Sequence, residues 1–225
     1  MKARIFSIIV GLMVSSLLAN GQAGGPFRSS VALLGGVNFQ NLNGKAADGS
    51  RLENEMITGY HAGLNAQMPI APEFYFQPGL LFSVKGGRSV DNPLTSMYRL
   101  SYIEMPLNLV YRAVVGDGFI LLGFGPYVGY AVGGNVKYRT ESMETNKKIE
   151  FTNEVMADDP LLAAYFRPLD FGGNILFGFE MPDGVFFHLN TQLGLVKINP
   201  VDRRMTGDQS SVKNTGFGLS LGYRL

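Results

Sequence analysis

The sequence predicts an all-β protein, specifically an eight-stranded antiparallel up-and-down transmembrane β-barrel, and three observations carry that prediction. From Val31 onward the hydrophobic residues recur with a period of two, in eight segments, and that period sends alternate side chains to opposite faces of a strand. Beyond the N-terminal leader no stretch is continuously apolar over the roughly 20 residues that a membrane-spanning helix needs. The connections between the segments alternate between long and short, as they do when a membrane barrel carries long loops on one rim and tight turns on the other.

The elements follow in chain order. Residues 1–21 read as a secretory signal peptide, because Lys2 and Arg4 precede an apolar run from Ile5 to Ala19, and cleavage sites lie at Ala19-Asn20-Gly21 or Gly21-Gln22-Ala23. That run is too short to span a bilayer. Residues 22–225 are then one barrel domain, with strands at about 31–40, 57–69, 74–85, 99–112, 120–132, 171–180, 185–197 and 215–225. The last of these alternates most cleanly. Phe217, Leu219, Leu221, Tyr223 and Leu225 share one face, and Gly216, Gly218, Ser220, Gly222 and Arg224 share the other. The fifth strand repeats the pattern, with Ile120, Leu122, Phe124, Val128, Tyr130 and Val132 opposite Gly123, Gly125, Tyr127, Gly129, Ala131 and Gly133.

Tight turns are expected at Ile70–Glu73, Val114–Gly118 and Met181–Gly184, the last with a Pro-Asp-Gly signal, and long loops at 41–56, 86–98, 134–168 and 199–211. Most of the charged residues fall in the long loops, which should therefore meet external water. Small barrels can also be soluble carriers with the apolar face turned inward. Here the second face of each strand is Gly, Ser, Asn and Gln, a poor coat against water but a good filling for a narrow lumen. The apolar face is therefore assigned to lipid. Leu219→Arg should cost about 2–4 kcal/mol at mid-bilayer, and Ser220→Ala should cost little. Phe74, Tyr111, Phe179, Phe187 and Tyr223 fall at the periplasmic strand ends, and Phe39, Tyr60, Phe82, Tyr130 and Phe171 at the external ends, as two girdles. Pro78, Pro106 and Pro126 lie inside strands, where each removes a ladder donor, so bulges or local breaks are expected there.

Composition excludes several classes. Nineteen Lys and Arg against 18 Asp and Glu leave a net charge of +1, which gives no electrostatic reason for a nucleic-acid partner. The absence of Cys excludes disulfides, thiolate metal sites, a cysteine nucleophile and a lipoprotein anchor.

The runs Gln77-Pro78-Gly79-Leu80-Leu81-Phe82-Ser83, Tyr102-Ile103-Glu104-Met105-Pro106-Leu107, Gly125-Pro126-Tyr127-Val128-Gly129, Asp170-Phe171-Gly172 and Gly222-Tyr223-Arg224-Leu225 resemble the outer-membrane β-barrel domain (porin-family, PorT-like) proteins common in Bacteroidetes. The resemblance spans nearly all of the mature chain and includes the three strand prolines. It implies an integral outer-membrane location and assembly by the barrel-insertion machinery, for which the usual terminal signal is Phe; Leu225 stands there instead. It implies no shared catalytic residues.

The lumen-facing charged and titratable residues are Lys85, Glu104, Arg112, Glu180, His188 and Arg224. Buried charges are costly unless paired, so these six are expected to form a structural ion and hydrogen-bond network that closes the lumen. No catalytic, cofactor-binding or metal site is expected. His61, placed near the external rim, and His188, placed near the periplasmic end, should not cooperate. Asp158-Asp159 reads as solvated loop. The expected function is structural or binding, through the extracellular loops and chiefly 134–168, whose stretch Leu161–Phe166 could cover the barrel mouth or meet a partner. The alternatives are a soluble lipocalin-like carrier and an accessory of transport or secretion. Expected partners are outer-membrane lipids, the insertion machinery and an unidentified extracellular or periplasmic protein.

Overall fold

The computed structural model describes residues 29–225 except Asn92 and Leu162, so the expected signal peptide lies outside the described residues. Its strands are β1 (Ser30–Lys45), β2 (Ile57–Ala71), β3 (Phe74–Asp91), β4 (Leu94–Val115), β5 (Gly118–Arg139), β6 (Glu144–Phe151), β7 (Glu154–Val155), β8 (Ala164–Phe166), β9 (Leu169–Glu180), β10 (Val185–Gly194), β11 (Val201–Asp202) and β12 (Ser211–Arg224). Strands β1, β2, β3, β4, β5, β9, β10 and β12 pair antiparallel in that order, and β12 closes onto β1, so the ring has eight strands and is up-and-down. Closure leaves no unpaired edge in the hydrocarbon, which is the condition for crossing a membrane with strands.

The alternation that predicts the strands also fixes their faces. Phe124, Ile175 and Leu221 point outward and are 63%, 66% and 54% exposed, whereas Asn108, Asn174 and Ser220 are buried in the lumen. An inward-turned apolar face, as a soluble carrier requires, is not what this barrel has. Outward aromatic pairs pack along both belts: Phe74 with Tyr111 at 5.2 Å and Tyr60 with Phe82 at 6.1 Å, both tilted, and Phe39 stacked on Phe217 at 5.1 Å.

The periplasmic turns are short. Glu73 and Gly116 take positive φ values of 66° and 61° to reverse the chain between β2 and β3 and between β4 and β5. The external side departs from the expected loops. Residues 86–98 are not a loop, because β3 runs on to Asp91 and β4 begins at Leu94, forming a hairpin that continues the wall of the barrel upward. The segment 134–168 is likewise structured. The end of β5 pairs with β6, β6 pairs in parallel with β8, and β7 pairs in parallel with β11. Most of β6 is polar on both faces, and β7 and β8 are only two and three residues long, so none of them offers a hydrophobic period to read.

The strand prolines interrupt pairing without shifting it. Pairs are missing between Asn65↔Gly79 and Met68↔Phe76, between Pro78↔Leu107 and Leu81↔Glu104, and between Pro106↔Tyr127 and Leu109↔Phe124, but the register on each side of every gap is the same. The bulges are elsewhere, at Pro69/Ala71 and opposite Ser101/Tyr102. The second bulge inserts Val132 between Ala131 and Gly133, so Gly133 stands opposite the outward Ser101 instead of facing the lumen with Ala131.

Candidate functional site: a filled and capped lumen

The inward residues sort into layers. At the external end a hydrophobic cap is built from Leu42, Leu100, Tyr102, Ala131, Val136, Ile149, Ala164, Phe166 and Ile198, all buried together. Ile149, Ala164 and Phe166 come from the extracellular lobe and Leu42, Leu100 and Tyr102 from the barrel, so the lobe is seated in the mouth. Tyr98 meets Phe166 edge-on at 5.7 Å. Of the stretch Leu161–Phe166, the C-terminal half covers the mouth, while Leu161 is 81% exposed.

Beneath the cap lies a fully buried ionic cluster. Lys85 Nζ is 2.6 Å from Glu104 Oε1 and 3.2 Å from Asp170 Oδ2, with all three side chains 0–1% exposed. One ammonium cannot balance two carboxylates, and neutral donors make up the difference. Gln192 Nε2 donates to Glu104 at 3.1 Å, and Asn214 Nδ2 and Tyr127 Oη donate to Asp170 at 3.0 and 3.3 Å. The ammonium also lies 4.2 Å from the Tyr127 ring centre. Each carboxylate therefore has charge-assisted partners, which is what allows such a group to be buried at all.

The middle layer is polar. His61 Nδ1 is 2.7 Å from Asn38 Oδ1 and His61 Nε2 is 2.7 Å from Ser220 Oγ. Asn38 Nδ2 donates to Ser83 Oγ at 3.1 Å, so Asn38 Oδ1 is left to accept from His61 Nδ1–H and Nε2 accepts from the serine hydroxyl. The histidine is 3% exposed and points into the lumen, next in the chain to the girdle residue Tyr60. His188 is less remote than expected, since it pairs directly with Ser220 across β10 and β12. Serine, imidazole and amide in line have the connectivity of an acyl-transfer relay. The adjoining cavity, however, is about 30 Å³, room for two or three waters and no organic substrate. Asn65 Oδ1, Gln77 Oε1, Asn174 Oδ1 and His188 Nε2 are buried without protein partners, and all four residues line that cavity. Buried groups of this kind require water where no protein partner reaches them, and the cavity has room for it.

The periplasmic end closes with a second ionic layer. Glu180 receives Arg112 Nη2 at 2.9 Å and Arg224 Nε at 2.8 Å. The Arg112 guanidinium stacks 3.2 Å from the Phe119 ring centre, and His188 stacks on Phe186 at 4.3 Å. The six residues expected to form one network thus fall into two separate groups, Lys85 with Glu104 and Arg112 with Glu180 and Arg224, while His188 contributes a ring contact and no hydrogen bond. Sequence reasoning placed Tyr127 and Gln192 on the inward face without assigning them to the network, and missed Asp170, Tyr102 and Asn214. All were legible in principle, sharing strand parity with recognised lumenal neighbours: Tyr102 with Glu104, Asp170 with Gly172, Tyr127 with Gly129, Gln192 with His188 and Asn214 with Ser220. Ser220→Ala is also dearer than expected from sequence, because it strips His61 Nε2 of its partner.

A closed ring with lipid-facing apolar residues and a packed polar lumen is what a small outer-membrane barrel requires, and residues 20–199 match the family described as outer membrane protein beta-barrel domain. The chain belongs to that family. No curated protein matches it. Among solved structures it is similar to Ail, the attachment invasion locus protein of Yersinia pestis, at 9% identity and a TM-score of 0.39, covering 87% of this chain and 99% of that one. Ail in complex with the heparin analogue sucrose octasulfate gives 9% identity, a TM-score of 0.40 and the same coverage. The N-terminal β-barrel domain of Pseudomonas aeruginosa OprF gives 11% identity and a TM-score of 0.33, covering 87% of this chain and 97% of that domain. The protein is an integral outer-membrane barrel.

Proposed function

We propose that this barrel is a closed, non-enzymatic scaffold whose role, structural or binding, is exercised by the extracellular lobe of residues 134–168. The observation that carries this reading is the lumen: two buried ionic layers and a hydrophobic cap fill it, and its cavity of about 30 Å³ holds only water. Transport and substrate turnover both need space that the interior lacks. The lobe, in contrast, is folded, anchored in the mouth through Ile149 and Phe166, and tipped by exposed Met143, Met156 and Leu161. The unidentified partner is extracellular where it meets the lobe, or periplasmic where it meets the opposite rim, and is not nucleic acid. Outer-membrane lipid surrounds the belt, and the insertion machinery acts during assembly. Residues 1–21 direct export as a cleaved signal peptide.

The test is expression of the full chain in a Gram-negative host, with gel mobility before and after boiling, bilayer conductance, and replacement of residues 140–163 by a short turn. The expected result is a heat-modifiable outer-membrane species that conducts no ions, and a lobe variant that inserts but loses surface binding. Steady conductance from the intact barrel would refute the scaffold reading.

A further inference from the structure

Above the apolar belt on one side, the outward face of β3, β4, β5 and β6 carries an unusual concentration of cations. Cross-strand register places Arg99 beside Asn135, which pairs with Lys148. It places Met97 between Arg88 and Lys137, and Thr95 between Val90 and Arg139. Alternation puts all of these on the outward face, because Ser96, Leu100 and Val136 between them are buried. Five cations therefore stand on four adjacent strands: Arg88, Arg99, Lys137, Arg139 and Lys148. Two carboxylates pair with them, and a third, Glu150, stands two residues from Lys148 on the same exposed face of β6. Glu55 pairs with Arg88 at 3.3 Å, and Glu144 pairs with Lys137 at 2.6 Å and Arg139 at 2.7 Å. Arg99 and Lys148 have no carboxylate partner among the described residues. Arg88, Arg99, Lys137 and Arg139, with Glu55, Val90, Thr95 and Met97, line an open groove of about 530 Å³, and Lys148 stands beside it on β6.

The height of the groove identifies its occupant. Ile103 pairs with Phe82 on one side and with Tyr130 on the other, two residues of the external aromatic girdle. Arg99 lies four residues further up the same strand, roughly 13 Å along it, which is headgroup depth. An outward-facing groove at that depth meets the lipid of the outer leaflet before it meets anything in solution. We propose that this face is a binding site for the phosphate groups of a phosphorylated outer-leaflet glycolipid. Arg99 and Lys148 take the phosphates as charge-assisted donors, Arg88 and Lys137 flank them, and Val90 and Met97 form an apolar floor. Arginine's planar fork suits phosphate oxygens, and the long stems let the charges reach the headgroup layer while their methylenes cover the strands. The geometry also explains why β3 to β5 continue as strands beyond the membrane: a flat, hydrogen-bonded wall holds the cations in register where a loop would not.

The inference rests on the outer-membrane placement and is independent of any partner for the lobe. It is tested with the folded, heat-modifiable barrel in micelles, titrated with bis-phosphorylated lipid A and with dephosphorylated lipid A, and read by native mass spectrometry of bound adducts. Wild-type protein should retain the phosphorylated form about tenfold better, a difference of roughly 1.4 kcal/mol. R99Q/K148Q should abolish that preference while remaining heat-modifiable, and R99K should retain part of it. K213Q, on β12 across the barrel, should change nothing. An equal loss in K213Q would show a generic charge effect and overturn the site, as would equal retention of both lipids by wild type. Competition by inorganic phosphate at concentrations similar to lipid A would assign the groove to a free anion and overturn the lipid reading. A wild-type species that does not shift on boiling would indict the barrel placement itself, a failure distinct from loss of phosphate selectivity.

Discussion

Replacing Lys85 by Met keeps the length and most of the volume of the side chain and removes its charge. Glu104 and Asp170 would then remain within one cluster, both essentially inaccessible to solvent, with the ammonium that lies 2.6 and 3.2 Å from them gone. Gln192, Asn214 and Tyr127 would still donate to them, but these donors are neutral. Breaking a buried ion pair by removing one partner costs about 3–5 kcal/mol, a large part of the roughly 5–15 kcal/mol that holds a domain together. In a urea titration in micelles, with folded protein read as the fast-migrating band of unboiled samples, a slope of about 1–3 kcal/mol/M converts that loss into a midpoint shift of at least about 1 M. The triple variant K85M/E104Q/D170N, in which no charge remains, should recover most of the loss, because both amides keep an acceptor oxygen for the same donors. A K85M midpoint within about 0.3 M of wild type would refute the claim that the charges are mutually compensating. A triple variant no better than K85M would assign the cost to packing against Tyr102 and Tyr127.

Leu219→Arg, on the lipid face of β12, should cost about 2–4 kcal/mol in the same titration; tolerance there would reverse the assignment of faces. Ser220→Ala should cost about 1–3 kcal/mol, because a buried imidazole nitrogen loses its hydroxyl donor, and Ser220→Thr should recover part of it; full tolerance would show that cavity water replaces the hydroxyl. Gly36→Ala should misfold or destabilise the barrel, since a Cβ there would collide with the Leu219 carbonyl and come 2.8 Å from the His61 ring, measured as loss of the heat-modifiable band. Outside the membrane, hydrogen bonds from Lys137 and Arg139 hold Glu144 below the ordinary glutamate range, and hydrogen bonds from Ser50 hold Asp48 below the aspartate range. A lowered folded pKa contributes order that is present above the unfolded pKa and is lost as pH falls through the folded one. Carboxyl-carbon NMR should therefore show both groups titrating late on acidification, with the β5–β6 hairpin and the turn at residues 46–50 loosening only then; titration at ordinary values would contradict those contacts.

The barrel wall was legible because lipid and a crowded lumen impose opposite demands on alternate residues. Phe217, Leu219 and Leu221 against Gly218, Ser220 and Gly222 in β12 cannot satisfy any other arrangement cheaply. Legibility stops where that contrast stops. Beyond the hydrocarbon both faces of a strand meet polar headgroups, water or the lobe, so Gly86–Asp91 and Leu94–Tyr98 carry no alternation of polarity and read as a loop although they are strand. A bulge is silent as well, and the extra residue Val132 turned Gly133 to the other side. Inside the lumen, strand parity says which residues point inward but not which of them meet. Lys85 finds Asp170 across the barrel, 85 residues away in sequence, and that distance depends on strand tilt and shear, which no local pattern records. For the same reason the two histidines, read by their positions along separate strands, gave no sign that both meet Ser220, one by a hydrogen bond and one by register.

The division of labour follows from the same constraint. An eight-stranded ring leaves an interior just wide enough for side chains, so every inward group must be satisfied by another inward group or by water. Lys85 with its two carboxylates and Glu180 with its two arginines are that satisfaction, and each layer they form blocks the passage a larger barrel would keep open. The cap then joins the blocked lumen to the lobe: Tyr102 belongs to the hydrophobic cluster that seats Phe166 and also accepts from Asn214, the residue that donates to Asp170. Loosening the ionic layer should therefore loosen the lobe. Limited proteolysis of K85M under conditions where the barrel stays folded should cut first in residues 152–163, at a rate clearly above wild type, whereas an unchanged cleavage rate would mean that the lobe is held by Ile149 and Phe166 alone.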